Sequence, residues 1–195
     1  AFTDEIFNTY EDINKKLWSD YEKGKIKLDD VLNSRFSQTL LKLGMSGVGH
    51  DWENQYRELL GNGSQLIEGA LDLCQSLSAS HRMFVITNGV TQTQIKRLKQ
   101  AGLYDFFEDV FDSQSVGFQK PSKEFFDFVT SHINNFDINE ALIIGDSLNT
   151  DIKGGILAGI DTCWFDKKLQ KGSVEIQSTY VISNLTELKD ICATF

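Results

Sequence analysis

Residues 141–151 have the sequence Ala141-Leu142-Ile143-Ile144-Gly145-Asp146-Ser147-Leu148-Asn149-Thr150-Asp151, and this stretch decides the predicted fold. Its first four residues are apolar, which is typical of a short strand buried on both faces, as in a parallel sheet. Gly145 then allows the backbone to turn sharply. Asp146 lies where the strand ends, and Asp151 follows at the start of a helical pattern. The stretch therefore predicts a strand–turn–helix unit of an α/β fold.

The carboxylates of Asp146 and Asp151 are predicted at the edge of the sheet where ligands bind, beyond the carboxyl ends of the strands. Crowding two carboxylates costs free energy unless a cation lies between them. Oxygen ligands on a short loop suit magnesium, because Mg²⁺ keeps several waters and takes only one or two protein carboxylates. Both residues are therefore candidate metal ligands. From this stretch alone an alternative stays open, in which Asp146 caps the helix and Asp151 is solvated.

The rest of the chain divides into two patterns. Apolar runs of strand length alternate with helical patterns from Gln65 onward, whereas the residues before it show helical spacing alone. Alternating strands and helices indicate βαβ units and a parallel sheet with right-handed crossovers. We therefore predict a helical domain over 1–63 and an α/β domain over 64–195. The aromatic residues of the helical domain are expected in its core rather than at a ligand. The predicted strands lie at 83–86, 110–111, 141–144, 162–165 and 180–182.

Composition and charge limit the classes of partner. Hydrophobic residues make up 41% of the chain, which is enough for a buried core. A net charge of −9 argues against nucleic acid as the main partner, although helix N-termini and local cations still allow a small anionic substrate. No apolar run approaches the roughly 20 residues that span a bilayer. Cys74, Cys163 and Cys192 lie in apolar surroundings, so we expect buried thiols in a reducing cytoplasm rather than disulfides.

Two further stretches carry candidate chemistry. Thr87 and Asn88 follow an apolar run, and a hydroxyl, an amide and free turn N–H groups at a strand tip can cradle phosphate oxygens. Lys120 precedes Pro121, which is the only proline and is predicted to open the next helix. A lysine held in this way can act as a point charge on a phosphoryl group. Turn chemistry for Asn88 and a solvated surface position for Lys120 remain the alternatives.

The joint order of these pieces resembles the haloacid dehalogenase-like (HAD) hydrolase superfamily. Thr87 matches the second motif of that superfamily, Lys120 the third, and Asp146 with Asp151 the fourth. The resemblance covers most of 65–195, and the Thr-Asn-Gly and Lys-Pro stretches look like the phosphatase branch. The helical segment before Gly63 resembles the helical cap of the superfamily, and residues 14–36 look like the cap of pyrimidine 5′-nucleotidases.

This resemblance implies a Rossmann-like parallel core with an α-helical cap and a Mg²⁺-dependent phosphomonoester hydrolase, closest to nucleoside 5′-monophosphate phosphatases. It implies that Asp146 binds the metal directly and that Asp151 holds the metal shell. Thr87, the N–H of Asn88 and Lys120 would bind the substrate and neutralise the charge that develops on the phosphoryl group. The implied partner is a small phosphorylated metabolite, with neither nucleic acid nor a membrane.

One motif of the superfamily is missing from this sequence. The first motif is a strand ending in Asp-x-Asp before the cap, and no such strand occurs here. In the superfamily its first Asp is the nucleophile that forms an aspartyl-phosphate, and its second is the general acid/base. That strand lies centrally in the sheet, between the strands that carry Thr87 and Asp146. We therefore expect a gap in the sheet, and we expect the nucleophile upstream of Ala1.

Alternatives to a phosphatase stay open at this point. A haloacid dehalogenase or a phosphosugar mutase could use the same fold. A dehalogenase needs no Mg²⁺, so the Asp146 and Asp151 pair argues against it. A catalytically inactive phosphate-binding module is the third alternative, and it would apply if the printed chain were complete.

Overall fold

The computed structural model of the chain describes residues 3–167 and 176–195. The chain forms two compact units, residues 1–63 and residues 64–195. Within the described part of the first unit the secondary structure is helical, as the apolar spacing predicted. The helices are α1 (Asp4–Glu22), α2 (Leu28–Lys42) and α3 (Gly49–Gly61).

Helix α2 contributes most of the core of the first unit. The apolar residues on one face of α2, spaced by about one helical turn, are buried: Leu28, Val31, Leu32, Phe36 and Leu40. The ring of Tyr10 on α1 stacks on Phe36 with 4.9 Å between ring centroids. Tyr21 is also buried, so these aromatic side chains pack in the core of the unit, as expected.

A buried ion pair, which the sequence pattern did not reveal, joins α2 to α3. Arg35 and Glu53 are 4% and 2% exposed, and two parallel hydrogen bonds of 2.6 and 2.8 Å connect them. The guanidinium of Arg35 also donates to Asn14 on α1 at 3.1 Å. A buried charge is tolerated when it is paired in this bidentate way, so one arginine fixes the positions of all three helices.

The second unit contains parallel strands in two sheets. Strand β1 (Phe84–Thr87) pairs in parallel with β2 (Asp109–Asp112), and Thr87 lies opposite Asp112 at the end of that pairing. Strand β4 (Asp161–Phe165) pairs in parallel with both β3 (Leu142–Gly145) and β5 (Tyr180–Ile182), and Gly145 lies opposite Trp164. Every strand predicted from an apolar run is therefore confirmed.

Helices connect these strands and cover them. Gly154 and Gly155 on α8 allow close packing, because a side chain at the first would overlap the ring of Phe126 and one at the second would overlap Thr162. The larger core cluster contains Phe111, Val116, Phe125, Phe126, Val129, Ile143 and Ile160. The helices are α4 (Ala70–Leu77), α5 (Thr91–Gln100), α6 (Ser113–Val116), α7 (Lys123–His132), α8 (Lys153–Ala158) and α9 (Leu188–Cys192).

A groove separates the two sheets. Within the described residues β1 and β3 belong to different sheets, and residues of both strands line a cavity of about 690 Å³. This is the gap expected between the strands that carry Thr87 and Asp146. Ile144 is 40% exposed, so the expectation that its strand is buried on both faces is wrong at this residue. The reason is that no described strand lies beside β3 on the groove side.

Three smaller findings complete the fold. Pro121 follows a cis peptide bond and precedes Ser122, whose hydroxyl caps α7, so the prediction that Pro121 opens the helix is wrong by two residues. All three cysteines are free thiols, and burial raises the pKa of Cys163 to about 11. None of the helices in the described ranges has the length and apolar character needed to cross a bilayer.

Candidate active site

Lys120 is buried at the centre of the site. It is only 7% exposed, and its ammonium donates to the carbonyl oxygen of Ile86 at 2.9 Å and to Oδ1 of Asp151 at 2.6 Å. A solvated surface position is therefore ruled out for this lysine. Among the described residues these two acceptors meet the ammonium, which leaves one of its three N–H groups for a ligand.

The turn after β1 lies directly against Lys120. The hydroxyl of Thr87 accepts a hydrogen bond from the N–H of Gly89 at 3.0 Å, which tightens the turn. The side chain of Asn88 bonds both backbone polar groups of Lys120, at 2.8 Å to its N–H and at 3.0 Å to its C=O. Since the Asn88 amide is used in this way, substrate binding by this residue is confined to its backbone N–H.

Asp151 reaches Lys120 because the chain after β3 forms a π-helical turn over Leu148–Ile152. The N–H groups of both Asp151 and Ile152 donate to the carbonyl of Ser147, at 3.0 and 3.1 Å. Oδ2 of Asp151 accepts from the N–H of Ser147 at 3.2 Å, and the residue is 7% exposed. The alternative in which Asp151 is solvated is therefore wrong.

Gly145 and Ser147 make room for this arrangement. A Cβ at Gly145 would overlap the carboxylate and Cβ of Asp151, so the glycine serves close packing as well as the turn. The hydroxyl of Ser147 accepts from the N–H of Thr150 at 3.3 Å and caps the π-helical turn. Ser147, and not Asp146, is thus the cap of this turn.

Asp146 lies at the carboxyl end of β3 with an exposed side chain. Its backbone carbonyl accepts from the indole N–H of Trp164 at 3.1 Å. In the part of the chain that the structure describes, its carboxylate has no hydrogen-bond or ionic partner. Lys120 and Asp151 offset each other in charge, so Asp146 adds a carboxylate that no cation among the described residues pairs.

These donors fit a hard divalent cation. The described residues contain no group of three or more His, Cys, Asp or Glu side chains that could hold a metal. Zinc normally takes three or four such ligands, whereas Mg²⁺ binds through one or two carboxylates and completes its shell with water and phosphate oxygens. Asp146 is free for direct coordination. Oδ1 of Asp151 accepts the short bond from Lys120 and Oδ2 the longer one from the N–H of Ser147, so Oδ2 is the oxygen with more capacity left for a metal shell.

Asp112 supports the site from the end of β2. Burial alone would raise the pKa of Asp112, but hydrogen bonds from Thr91, Ser115 and Gln114 outweigh it and lower the pKa below its ordinary value. The hydroxyl of Thr91 donates to Oδ1 at 2.6 Å, which ties the start of α5 to the end of β2. The neighbouring hydroxyl of Ser113 donates to the Asn88 carbonyl at 3.3 Å.

Two contacts of this site cannot be predicted from the sequence, the amide of Asn88 on Lys120 and the indole of Trp164 on Asp146. Their partners lie 32 and 18 positions away. The sequence predicts a turn at Asn88 and a strand at Trp164, and neither local pattern identifies a partner so far away in the chain. By contrast, Lys120 and Asp151 are bonded to each other, Lys120 also bonds the carbonyl of Ile86, and Asp151 accepts from the N–H of Ser147. Thr87 and Asp146 are the sequence neighbours of Ile86 and Ser147 at the carboxyl ends of β1 and β3.

Comparison with known proteins gives the same family as the motifs. The family model described as haloacid dehalogenase-like hydrolase matches residues 2–159. The HAD-hydrolase YfnB of Bacillus subtilis strain 168 is 46% identical over 189 residues, which are 97% of this chain and 80% of that protein. The pyrimidine 5′-nucleotidase PynA of Streptococcus pneumoniae is 36% identical over 182 residues, which are 93% of this chain and 77% of that protein.

A solved structure agrees with the fold. The crystal structure of YfnB from Bacillus subtilis, bound to magnesium, superposes with a TM-score of 0.93 at 44% identity and covers 99% of this chain and 84% of that one. Sequence motifs, site geometry, a family model over most of the chain and a superposition along its length all agree. The chain belongs to the haloacid dehalogenase-like hydrolase family, and it is an enzyme of that family.

Proposed function

We propose that this protein is a Mg²⁺-dependent phosphomonoester hydrolase that acts on nucleoside 5′-monophosphates in the cytoplasm. The observation that carries the proposal is the cluster of Lys120, Thr87 and Asp146. It combines a buried ammonium with an available N–H, a strand-tip turn, and a carboxylate without a partner in the described part of the chain. Such a set suits a phosphate dianion together with a divalent cation.

Each residue then has a distinct task. Lys120, the hydroxyl of Thr87 and the N–H of Asn88 bind phosphate oxygens and neutralise the charge that develops during transfer. Asp146 would hold Mg²⁺ directly, and Asp151 would contact the metal shell through Oδ2 while it orients Lys120. When bound, Mg²⁺ supplies positive charge that polarises the phosphoryl group.

The substrate class rests on similarity and on the first unit. PynA is named a pyrimidine 5′-nucleotidase, and the 36% identity supports a small phosphorylated substrate of that class. We propose that residues 1–63 are the cap that selects the leaving group, as the resemblance of residues 14–36 implies. Tyr21 and Phe36 are buried within that unit, so they serve its packing rather than the stacking of a base.

The test is a phosphate-release assay of the full-length protein on a panel of nucleoside monophosphates and sugar phosphates, with Mg²⁺ or with EDTA. We expect phosphate release that requires Mg²⁺ and is fastest with nucleoside 5′-monophosphates. A 2-haloacid is included, because several similar folds are haloacid dehalogenases at 13 to 19% identity, a level that shows the fold alone. Absence of metal-dependent phosphate release, or release of halide instead, would contradict the proposal.

A further inference from the structure

Asn88 holds the backbone of Lys120 with both ends of its side-chain amide. Its Oδ1 accepts from the Lys120 N–H at 2.8 Å, and its Nδ2 donates to the Lys120 C=O at 3.0 Å. The two residues are 32 positions apart, so no local turn produces this contact. A carboxamide accepts through its oxygen and donates through its nitrogen, two atoms bonded to the same carbon, as this contact requires.

The other end of Lys120 is fixed as well. Its ammonium is held by the carbonyl of Ile86 and the carboxylate of Asp151, at 2.9 and 2.6 Å. A long flexible side chain is thus anchored at its backbone and at its tip, which removes the rotamer freedom that a lysine normally retains. The position of its remaining N–H depends on both anchors.

We infer that Asn88 is a positioning residue for Lys120, and that its side chain sets the place where the ammonium meets the substrate phosphate. The inference rests on the proposed function, since it takes Lys120 as the residue that binds phosphate. Both polar atoms of the Asn88 side chain face Lys120, so Asn88 acts through the lysine and not by a side-chain contact with substrate.

The inference is tested by a double-mutant cycle on the full-length protein with Asn88→Ala, Lys120→Met and the double variant. The readouts are kcat and KM for the nucleoside monophosphate that is hydrolysed fastest, and the Kd for inorganic phosphate in the presence of Mg²⁺. We expect Asn88→Ala to lower kcat roughly 100-fold in the wild-type background, the usual effect of misplacing a catalytic group. In the Lys120→Met background, Asn88→Ala should change kcat and the phosphate Kd by less than about twofold, because the ammonium that Asn88 positions is absent.

Two further variants make the cycle decisive. Asn88→Asp keeps the size of the side chain and the acceptor for the Lys120 N–H but loses the donor, so we expect a smaller loss of kcat that also disappears in the Lys120→Met background. If Asn88→Ala fails to fold, as its thermal unfolding midpoint will show, Asn88→Asp decides by the same criterion. Asn139→Ala is the matched control, since this exposed asparagine bonds only Asp137 among the described residues and should leave every readout unchanged.

Two results would overturn the inference. One is a kcat within about threefold of wild type for both Asn88 variants, which would show that the amide does not position the lysine. The other is an equal effect of Asn88→Ala in the two backgrounds, which would assign the residue an independent role. Full turnover by Lys120→Met would instead overturn the proposed function on which the inference rests.

Discussion

Asp146 and Trp164 form a contact that should respond to the metal binding proposed for Asp146. The indole N–H donates to the Asp146 carbonyl at 3.1 Å, and the Asp146 carboxylate has no partner within the described residues. A divalent cation on that carboxylate changes the electric field at the indole. We therefore expect Mg²⁺ to shift the tryptophan emission of the protein in a saturable titration, without any substrate present.

Three variants check that expectation. Asp146→Asn removes the charged ligand, so it should abolish both the emission change and Mg²⁺-dependent turnover while the unfolding midpoint stays near that of wild type. Trp164→Phe should abolish the emission change, whereas Trp52→Phe in the first unit should retain it. A full Mg²⁺ response in Asp146→Asn would contradict the assignment of Asp146 as the metal ligand.

Single residues also show how far sequence reasoning reaches. The carboxyl ends of parallel strands meet at one edge of a sheet, which predicts Thr87, Asp146 and Asp151 at that edge. The burial of Lys120 and its pairing with Asp151 could not be predicted, since they depend on a π-helical turn that inserts one extra residue into the helical spacing. The second anchor of Lys120, on Asn88, requires a backbone approach that no pattern in the sequence encodes.

At the scale of secondary-structure elements, Gly145 permits the π-helical turn to fold back over the end of β3. Gly145→Ala would push the Asp151 carboxylate away from Lys120, because the added methyl group overlaps it. We expect a loss of roughly 1–3 kcal/mol in the free energy of unfolding, as is usual for overpacking. Turnover and phosphate affinity should fall as well, since the ion pair is disturbed.

Gly102→Ala is the control for that variant. Gly102 has φ +68 with open space around it, so alanine there costs about 1–2 kcal/mol of backbone strain without touching the site. Urea unfolding compares the stability of the two variants, and the phosphate assay compares their function. If both variants lose activity equally, the overlap with Asp151 is not the cause.

The end of β2 makes a pH-dependent contribution to stability. The pKa of Asp112 in the folded protein lies below its ordinary value, and in the unfolded chain it returns to about 3.9. The stabilisation is therefore complete above about pH 4 and is lost as the pH falls through the lower, folded-state pKa. Asp112→Asn keeps the shape of the side chain but removes its charge. Between pH 5 and pH 3 the free energy of unfolding of this variant should therefore fall less than that of wild type. Denaturant titrations at several pH values measure this difference. A parallel decline in the two proteins would contradict this.

At the scale of the whole second unit, the ion pair of Lys120 and Asp151 connects two sheets that share no described strand pairing. Lys120 is bonded to Ile86 in β1 of the first sheet, and Asp151 follows β3 of the second. Lys120→Met leaves Asp151 buried without its partner, which typically costs about 3–5 kcal/mol. Adding Asp151→Asn removes the unpaired charge, so the double variant should recover much of the stability but none of the turnover.

Amide hydrogen exchange gives the structural readout of that prediction. We expect faster exchange in both β1 and β3 of Lys120→Met, and slower exchange again in the double variant. Helices α1 to α3 of the first unit serve as the internal reference, because their buried ion pair of Arg35 and Glu53 is untouched. Faster exchange confined to one sheet would show that the ion pair does not hold the two sheets together.

The alternation of strands and helices was enough to predict parallel pairing, whereas the gap beside the strand that carries Asp146 was predicted from the resemblance to the superfamily and its missing first motif. The exposure of Ile144 to that gap could not be predicted, because the sequence pattern assigns its apolar side chain to the interior. Likewise the pattern of α2 predicted its apolar face but not the burial of Arg35 within it. Burial of a charged residue is determined by its partner, and Glu53 lies 18 positions away on another helix.

The placement of Lys120 between the two sheets couples chemistry to assembly. The ammonium of Lys120 bonds the carbonyl of Ile86 in one sheet and the carboxylate of Asp151 after a strand of the other. It can therefore reach this position only after both sheets have formed and packed together. If Lys120 has its proposed role, a partly folded chain is therefore inactive toward phosphate esters. Under the proposed function, activity would begin only when both sheets are folded and Lys120 is held between them.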